Sequence, residues 1–177
     1  MRTSNQWLGE SDSQYDKICK NIIKIASMKN MYGYNLVPIY TKEQIRDRVK
    51  ELGVELSNKF RDEIPIFIGV LNGSFVFLAD LLWELTLDCE LDFIKLSSYE
   101  KTLSTGTVHL LKDISADITG RHVIIVEDII DSGLTISFLK NRLEGAIPKS
   151  VTTVSLLFKP DVAKLDFSID FVGFEIP

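Results

Sequence analysis

The chain has 177 residues, 45% hydrophobic and 25% charged, with a formal net charge of −5, which is ordinary for one globular domain with a sizeable core. The negative balance argues against a nucleic-acid binder held by phosphate contacts, and no leader pattern or run of transmembrane length is visible, so a cytoplasmic protein off the membrane is expected. The two cysteines, Cys19 and Cys89, stand at no metal-ligand spacing and read as free thiols in a reducing compartment. In chain order, residues 1–35 are weakly patterned and read as an N-terminal extension, with a short helix predicted over 15–28, where Ile18, Ile22 and Ile25 share a face. A second unit is expected over 36–177. Thr41-Lys42-Glu43-Gln44 reads as a capping box, and Ile45, Val49, Leu52 and Leu56 then line one helix face. Residues 65–71 form a buried strand, 72–74 a turn and 75–85 an apolar helix. A strand is expected over 91–98, a polar loop over 99–106, and a weakly alternating segment over 107–112 that pairs with a neighbour. Residues 121–127, 151–159 and 169–176 are further strands, with a helix after the first of them. Strands alternating with helices give an α/β fold with a mostly parallel central sheet flanked by helices.

The stretch from Val123 to Thr135 is the most informative. A β-branched apolar run ends in Glu127 and Asp128, followed by Asp131 and a Ser132-Gly133-Leu134-Thr135 turn. Ile136, Leu139 and Leu143 then recur at helical spacing, with Gly145 and Pro148 as stop signals. Acids and hydroxyls thus gather at the carboxyl end of a parallel strand, before a helix N-terminus, where open α/β sheets bind ligands. Backbone N–H groups of residues 132–135 can form an anion nest, Gly133 permits close approach, and the Ser132 and Thr135 hydroxyls add donors. Glu127 and Asp128 suit a sugar diol or a hard cation. The expected ligand is a sugar phosphate; the same residue types also fit an acidic turn that caps a helix and binds nothing.

The segment VEDIIDSGLT, residues 126–135, resembles the phosphoribosyl-pyrophosphate motif of the type I phosphoribosyltransferases, and most closely that of the hypoxanthine-guanine phosphoribosyltransferases. The resemblance covers roughly residues 36–177 and implies that family's fold, with a small hood built from the termini. It implies Mg²⁺-dependent transfer of 5-phosphoribosyl from phosphoribosyl pyrophosphate to N9 of hypoxanthine or guanine, a homo-oligomer, and no nucleic-acid or membrane partner. Glu127 and Asp128 would hold the ribose hydroxyls directly or through Mg²⁺, and Asp131 would be the general base near purine N7. Residues 127–128 and 131–135 form the phosphoribosyl site. Leu71, Asn72 and Gly73 resemble the pyrophosphate loop, with a cis peptide implied at Leu71-Asn72. Asn72 departs from the lysine that many members carry, so the site leans more on backbone N–H groups and metal. Ser98 and Tyr99 resemble the start of a flexible loop that folds over the pyrophosphate and excludes water. Lys159 resembles the donor to the C6 oxygen of a 6-oxopurine, since lysine donates only. Ile129, Phe171 and Val172 complete the purine site, Phe171 by stacking and Val172 by its backbone. The family continues past FVGFEIP with another metal-ligating acid, which implies a truncated carboxyl end here. Other readings are a different base preference, such as xanthine, or a non-catalytic nucleotide sensor on the same fold. Phe174 is expected in the core, His109 and His122 in structural roles, and Trp7 and Trp83 as packing residues.

Overall fold

A computed structural model describes residues 30–31, 34–35, 38–99 and 107–177. The expected helix over 15–28, Trp7, Cys19 and residues 100–106 of the loop expected over 99–106 lie outside the described residues. The chain divides into two compact units, residues 1–41 and 42–177. In the first, β1 (Asn30–Met31) and β2 (Tyr34–Asn35) form a short antiparallel pair.

The second unit holds α1 (Lys42–Lys59), β3 (Ile66–Leu71), α2 (Phe75–Trp83), β4 (Glu90–Tyr99), β5 (Thr107–Lys112), β6 (His122–Ile130), α3 (Leu134–Glu144), β7 (Ser150–Phe158) and β8 (Phe171–Glu175). Its six strands run in the order β5-β4-β3-β6-β7-β8. All neighbours are parallel except β4 and β5, which form an antiparallel ribbon at one edge.

Alternation along β3 and β6 divides the core between two faces. Phe67, Ile124 and Val126 pack with Val49, Leu52, Leu56, Phe77, Leu78 and Leu81 of α1 and α2. Ile66, Ile68, Val123 and Ile125 pack with Ile136, Leu139 and Leu143 of α3. A sheet covered on both faces explains why these strands are apolar at successive positions rather than at every second one. At 25 cal/mol per Å², each such fully buried side chain contributes about 2 kcal/mol.

The connection β3-α2-β4 moves toward one sheet edge, and β6-α3-β7 moves toward the other. The adjacent pair β3 and β6 is therefore where the winding direction reverses, leaving a crevice at their carboxyl ends. Among the described residues, no helix is long and apolar enough to cross a membrane.

Three expectations need correction. The strand predicted to end at Glu127 continues to Ile130, because Ile129 and Ile130 stay paired with Leu157 and Phe158 of β7. Trp83 is 77% exposed, since α2 buries the face of Phe77, Leu78 and Leu81 and turns Trp83 away. Among the described residues it is Phe171, rather than Phe174, that packs against a core cluster. His122 is structural as expected: its Nδ1 lies 2.6 Å from the Ser150 hydroxyl, and its ring meets Phe60 edge-on at 5.2 Å. His109 sits in β5 opposite Ser97.

Candidate functional site

Both glycine turns recognised in the sequence lie at the reversal of winding. The first leaves β3 through a cis peptide at Leu71-Asn72 and enters α2 through Ser74, whose hydroxyl donates to the Val70 carbonyl at 2.7 Å. The second leaves β6 and enters α3 through Gly133, which adopts φ +83. That left-handed conformation is what glycine supplies without penalty.

The two turns meet. Alternation along β6 places Asp128 on the face of Ile124 and Val126, which is the face of α2. There its carboxylate lies so close to Gly73 that a Cβ on that residue would overlap both carboxylate oxygens. Asn72 and Gly73 are exposed beside it.

Glu127 is the electrostatic anomaly of the site. Its Oε2 is sealed from solvent and has no hydrogen-bond partner among the described residues. Burial, and secondarily the charge of Asp128, raises its pKa from the ordinary 4.5 to about 8. A carboxyl with one sealed, unpartnered oxygen beside a second acid is a donor set that fits a hard cation. Among the described residues no group of three or more His, Cys, Asp or Glu gathers. One or two carboxylates are enough for Mg²⁺, which keeps several waters and takes its remaining ligands from substrate phosphates.

Asp131 and Ser132 are exposed in the turn, Thr135 is half-buried, and Leu134 is the first residue of α3. The Leu134 N–H lies 3.5 Å from the Ser132 hydroxyl. The first turn of α3 carries N–H groups with no intrahelical acceptor, an anion-favouring end. The β7–β8 connection packs against this turn in a way the sequence did not announce. The Lys164 N–H donates to the Ser132 carbonyl at 3.1 Å, and a Cβ on Gly133 would fall 2.5 Å from Leu165 Cδ2. Gly133 is thus needed for its backbone conformation and for Leu165 as well as for any approach by phosphate.

Lys159 follows the end of β7, its N–H donating to the Ile130 carbonyl at 3.0 Å, so it sits beside the end of β6. Ile129 is half-buried opposite Leu157. Phe171 and Val172 open β8, opposite Val154 and Ser155. Phe171 packs on the core beneath α1, with the Lys59 ammonium 5.0 Å from its ring centroid. Ser98 and Tyr99 end β4 opposite Val108 and Thr107. Leu71, the last residue of β3, pairs with Lys95, so β4 runs four residues further, about 13 Å beyond the β3 end.

Direct contact joins Asp128 with Gly73 and Ile130 with Lys159. Phe171 belongs to the α1 side of the sheet. Sequence reasoning missed Arg48, Lys164 and Leu165. Arg48 carried a signal in Glu51 and Glu55, acids three and seven residues along one helical face.

Residues 38–177 match the phosphoribosyl transferase domain family. The hypoxanthine-guanine phosphoribosyltransferase of Bacillus subtilis is 44% identical over 140 residues, 78% of either chain. The solved structure of such an enzyme from Bacillus anthracis is 46% identical with a TM-score of 0.74, covering 80% of this chain and 82% of that one. The hypoxanthine phosphoribosyltransferase of Trypanosoma cruzi, solved with the product IMP, is 36% identical with a TM-score of 0.72, covering 78% and 79%. By its matched domain, its relatives and its sheet order, the chain belongs to the type I phosphoribosyltransferase family, among the hypoxanthine-guanine phosphoribosyltransferases.

Proposed function

We propose that the chain is a cytoplasmic purine-salvage enzyme that moves the 5-phosphoribosyl group of phosphoribosyl pyrophosphate to N9 of hypoxanthine or guanine. The products are IMP or GMP and pyrophosphate. The observation that carries this reading is the meeting of Asp128 with Gly73, which joins a phosphate-type turn and an acid pair at the reversal of winding. The family membership and the IMP complex of the Trypanosoma cruzi relative support it.

In this reading the 5-phosphate sits against the N–H groups of residues 132–135, with the Ser132 and Thr135 hydroxyls as further donors. The backbone of Leu71, Asn72 and Gly73 faces the pyrophosphate. Glu127 and Asp128 hold the ribose hydroxyls and would hold Mg²⁺, which when bound would neutralise charge on the leaving pyrophosphate. Asp131 accepts the proton of purine N7 as N9 bonds to C1. The C1–O bond breaks ahead of that attack, leaving a cation-like sugar that water would intercept. Ser98 and Tyr99 close over it and keep water out. Lys159 donates to the oxygen at C6, selecting oxo over amino, while Ile129, Phe171 and the Val172 backbone receive the base. The working form is a homo-oligomer, for which exposed Phe75, Val76 and Trp83 on α2 offer apolar surface.

The test is turnover with phosphoribosyl pyrophosphate, Mg²⁺ and, separately, hypoxanthine, guanine, xanthine and adenine. Conversion of the first two and none of adenine is expected. No turnover with any base, in protein that still binds the sugar pyrophosphate, refutes the reading.

A further inference from the structure

We propose that Arg48, on helix α1, is a positioning residue that fixes the β8 backbone for reception of the purine base; this rests on the reading of β8 as part of the base site. β8 has five residues and, among the described residues, forms its ladder with β7. A strand this short has few ladder bonds to hold its position. The Arg48 guanidinium adds two further bonds to its backbone. Its Nη2 donates to the Val172 carbonyl at 2.7 Å and its Nε to the Gly173 carbonyl at 3.1 Å.

The fork is itself held. Nη1 donates to Glu51 Oε2 at 2.8 Å and to Glu55 Oε1 at 2.9 Å. The two carboxylates orient the planar group and balance its charge, so it reaches β8 pre-set. The opposite side of β8 has no slack. A Cβ on Gly173 would lie 2.5 Å from the Leu156 carbonyl oxygen and 3.1 Å from Leu156 Cα. Residue 173 is therefore clamped between the β7 backbone and Arg48, one position from the Val172 backbone assigned to the base edge. Surface ion pairs such as Arg48–Glu51 contribute little to stability by themselves. The grip on two consecutive carbonyls is the distinguishing feature.

The experiment measures steady-state kinetics of Arg48→Lys and Arg48→Met, varying base and phosphoribosyl pyrophosphate separately, with thermal melts of both. Lysine keeps the stem and the charge but cannot donate to both carbonyls from one rigid plane. KM for hypoxanthine and guanine should rise about tenfold or more in both variants, with KM for phosphoribosyl pyrophosphate within about twofold of the parent. The double variant Glu51→Gln/Glu55→Gln, which loosens the fork without removing it, should move the same constant by a smaller factor. Equal changes in both KM values, or a fall in kcat alone, would mean that Arg48 only supports the fold and would overturn the proposal. Should Arg48→Met not fold, the lysine and double variants decide. Phe171→Ala separates the two levels of argument. If it too leaves KM for the base unchanged, β8 does not receive the base and the underlying reading fails. If it raises that KM while the Arg48 variants do not, only the positioning role fails.

Discussion

Replacing Glu127 with glutamine should make the metal-free protein more stable and the enzyme nearly inactive. The carboxyl has a sealed, unpartnered Oε2 and a pKa near 8 in place of 4.5. Folded protein therefore holds a proton on Glu127 over a pH range in which the unfolded chain has lost it. Stability falls as pH rises from about 4.5 to about 8, then stays level once both states are ionised. At 1.36 kcal/mol per pH unit, a proton affinity raised this far corresponds to at most about 5 kcal/mol. Relaxation and water entry around the half-buried side chain reduce the expected cost to about 2–4 kcal/mol. Glutamine is neutral at every pH and presents a polar group similar to protonated glutamate. In EDTA at pH 8.5, Glu127→Gln should melt about 5–12 °C above the parent, by the 2–4 °C per kcal/mol usual at this size. At pH 5 the two should melt within about 2 °C of each other, again by that scaling. Turnover with Mg²⁺ should fall by about two orders of magnitude, the trade usual where a site stores an unfavourable group. Equal differences in melting temperature at pH 5 and pH 8.5 would refute the reasoning, because the effect would then not come from ionisation.

Other perturbations address separate parts of the site. Asp131 is exposed in its turn, so Asp131→Asn should leave the melting temperature unchanged and lower kcat by about 10²-fold or more, as loss of a general base does; unchanged turnover sinks that role. In Gly73→Ala the new methyl meets the Asp128 carboxylate, and overpacking should cost about 1–3 kcal/mol by chemical denaturation while KM for phosphoribosyl pyrophosphate rises. Lys159→Gln can both donate and accept, so the ratio of kcat/KM for hypoxanthine over adenine should fall by about tenfold or more; an unchanged ratio places base selection elsewhere.

The layers and most elements of residues 42–177 could be read from pattern. β3 and β6 announced themselves as uninterrupted apolar runs, and α1 as a periodic face behind Thr41. What stayed hidden depended on partners distant in sequence. Acidic residues normally leave a sheet, so Glu127 looked like the end of β6. The strand continues because the turn at Gly73 leaves room for the Asp128 carboxylate and β7 keeps pairing to Phe158. α2 is apolar around most of its circumference, so no periodicity could say that Phe77, Leu78 and Leu81 face inward and Trp83 outward. Arg48 is one of several charges along its helix in the sequence, and only the placement of β8 gives it carbonyls to bind. In the site, the residue types marked where both turns lie, while the packing of Leu165 onto Gly133 comes from a connection with no motif of its own.

The parallel pairing of β3 with β6 sets Ile66 beside Val123, with α2, β4 and β5 intervening in the chain. Neither turn has its partner until that long loop has closed, an event whose entropic cost precedes its reward. Catalytic competence is therefore a late reporter of assembly: helical signal from α1, α2 and α3 can return during refolding before the two turns have met. Recovered activity, rather than recovered helicity, measures how much of a preparation has closed the centre of its sheet.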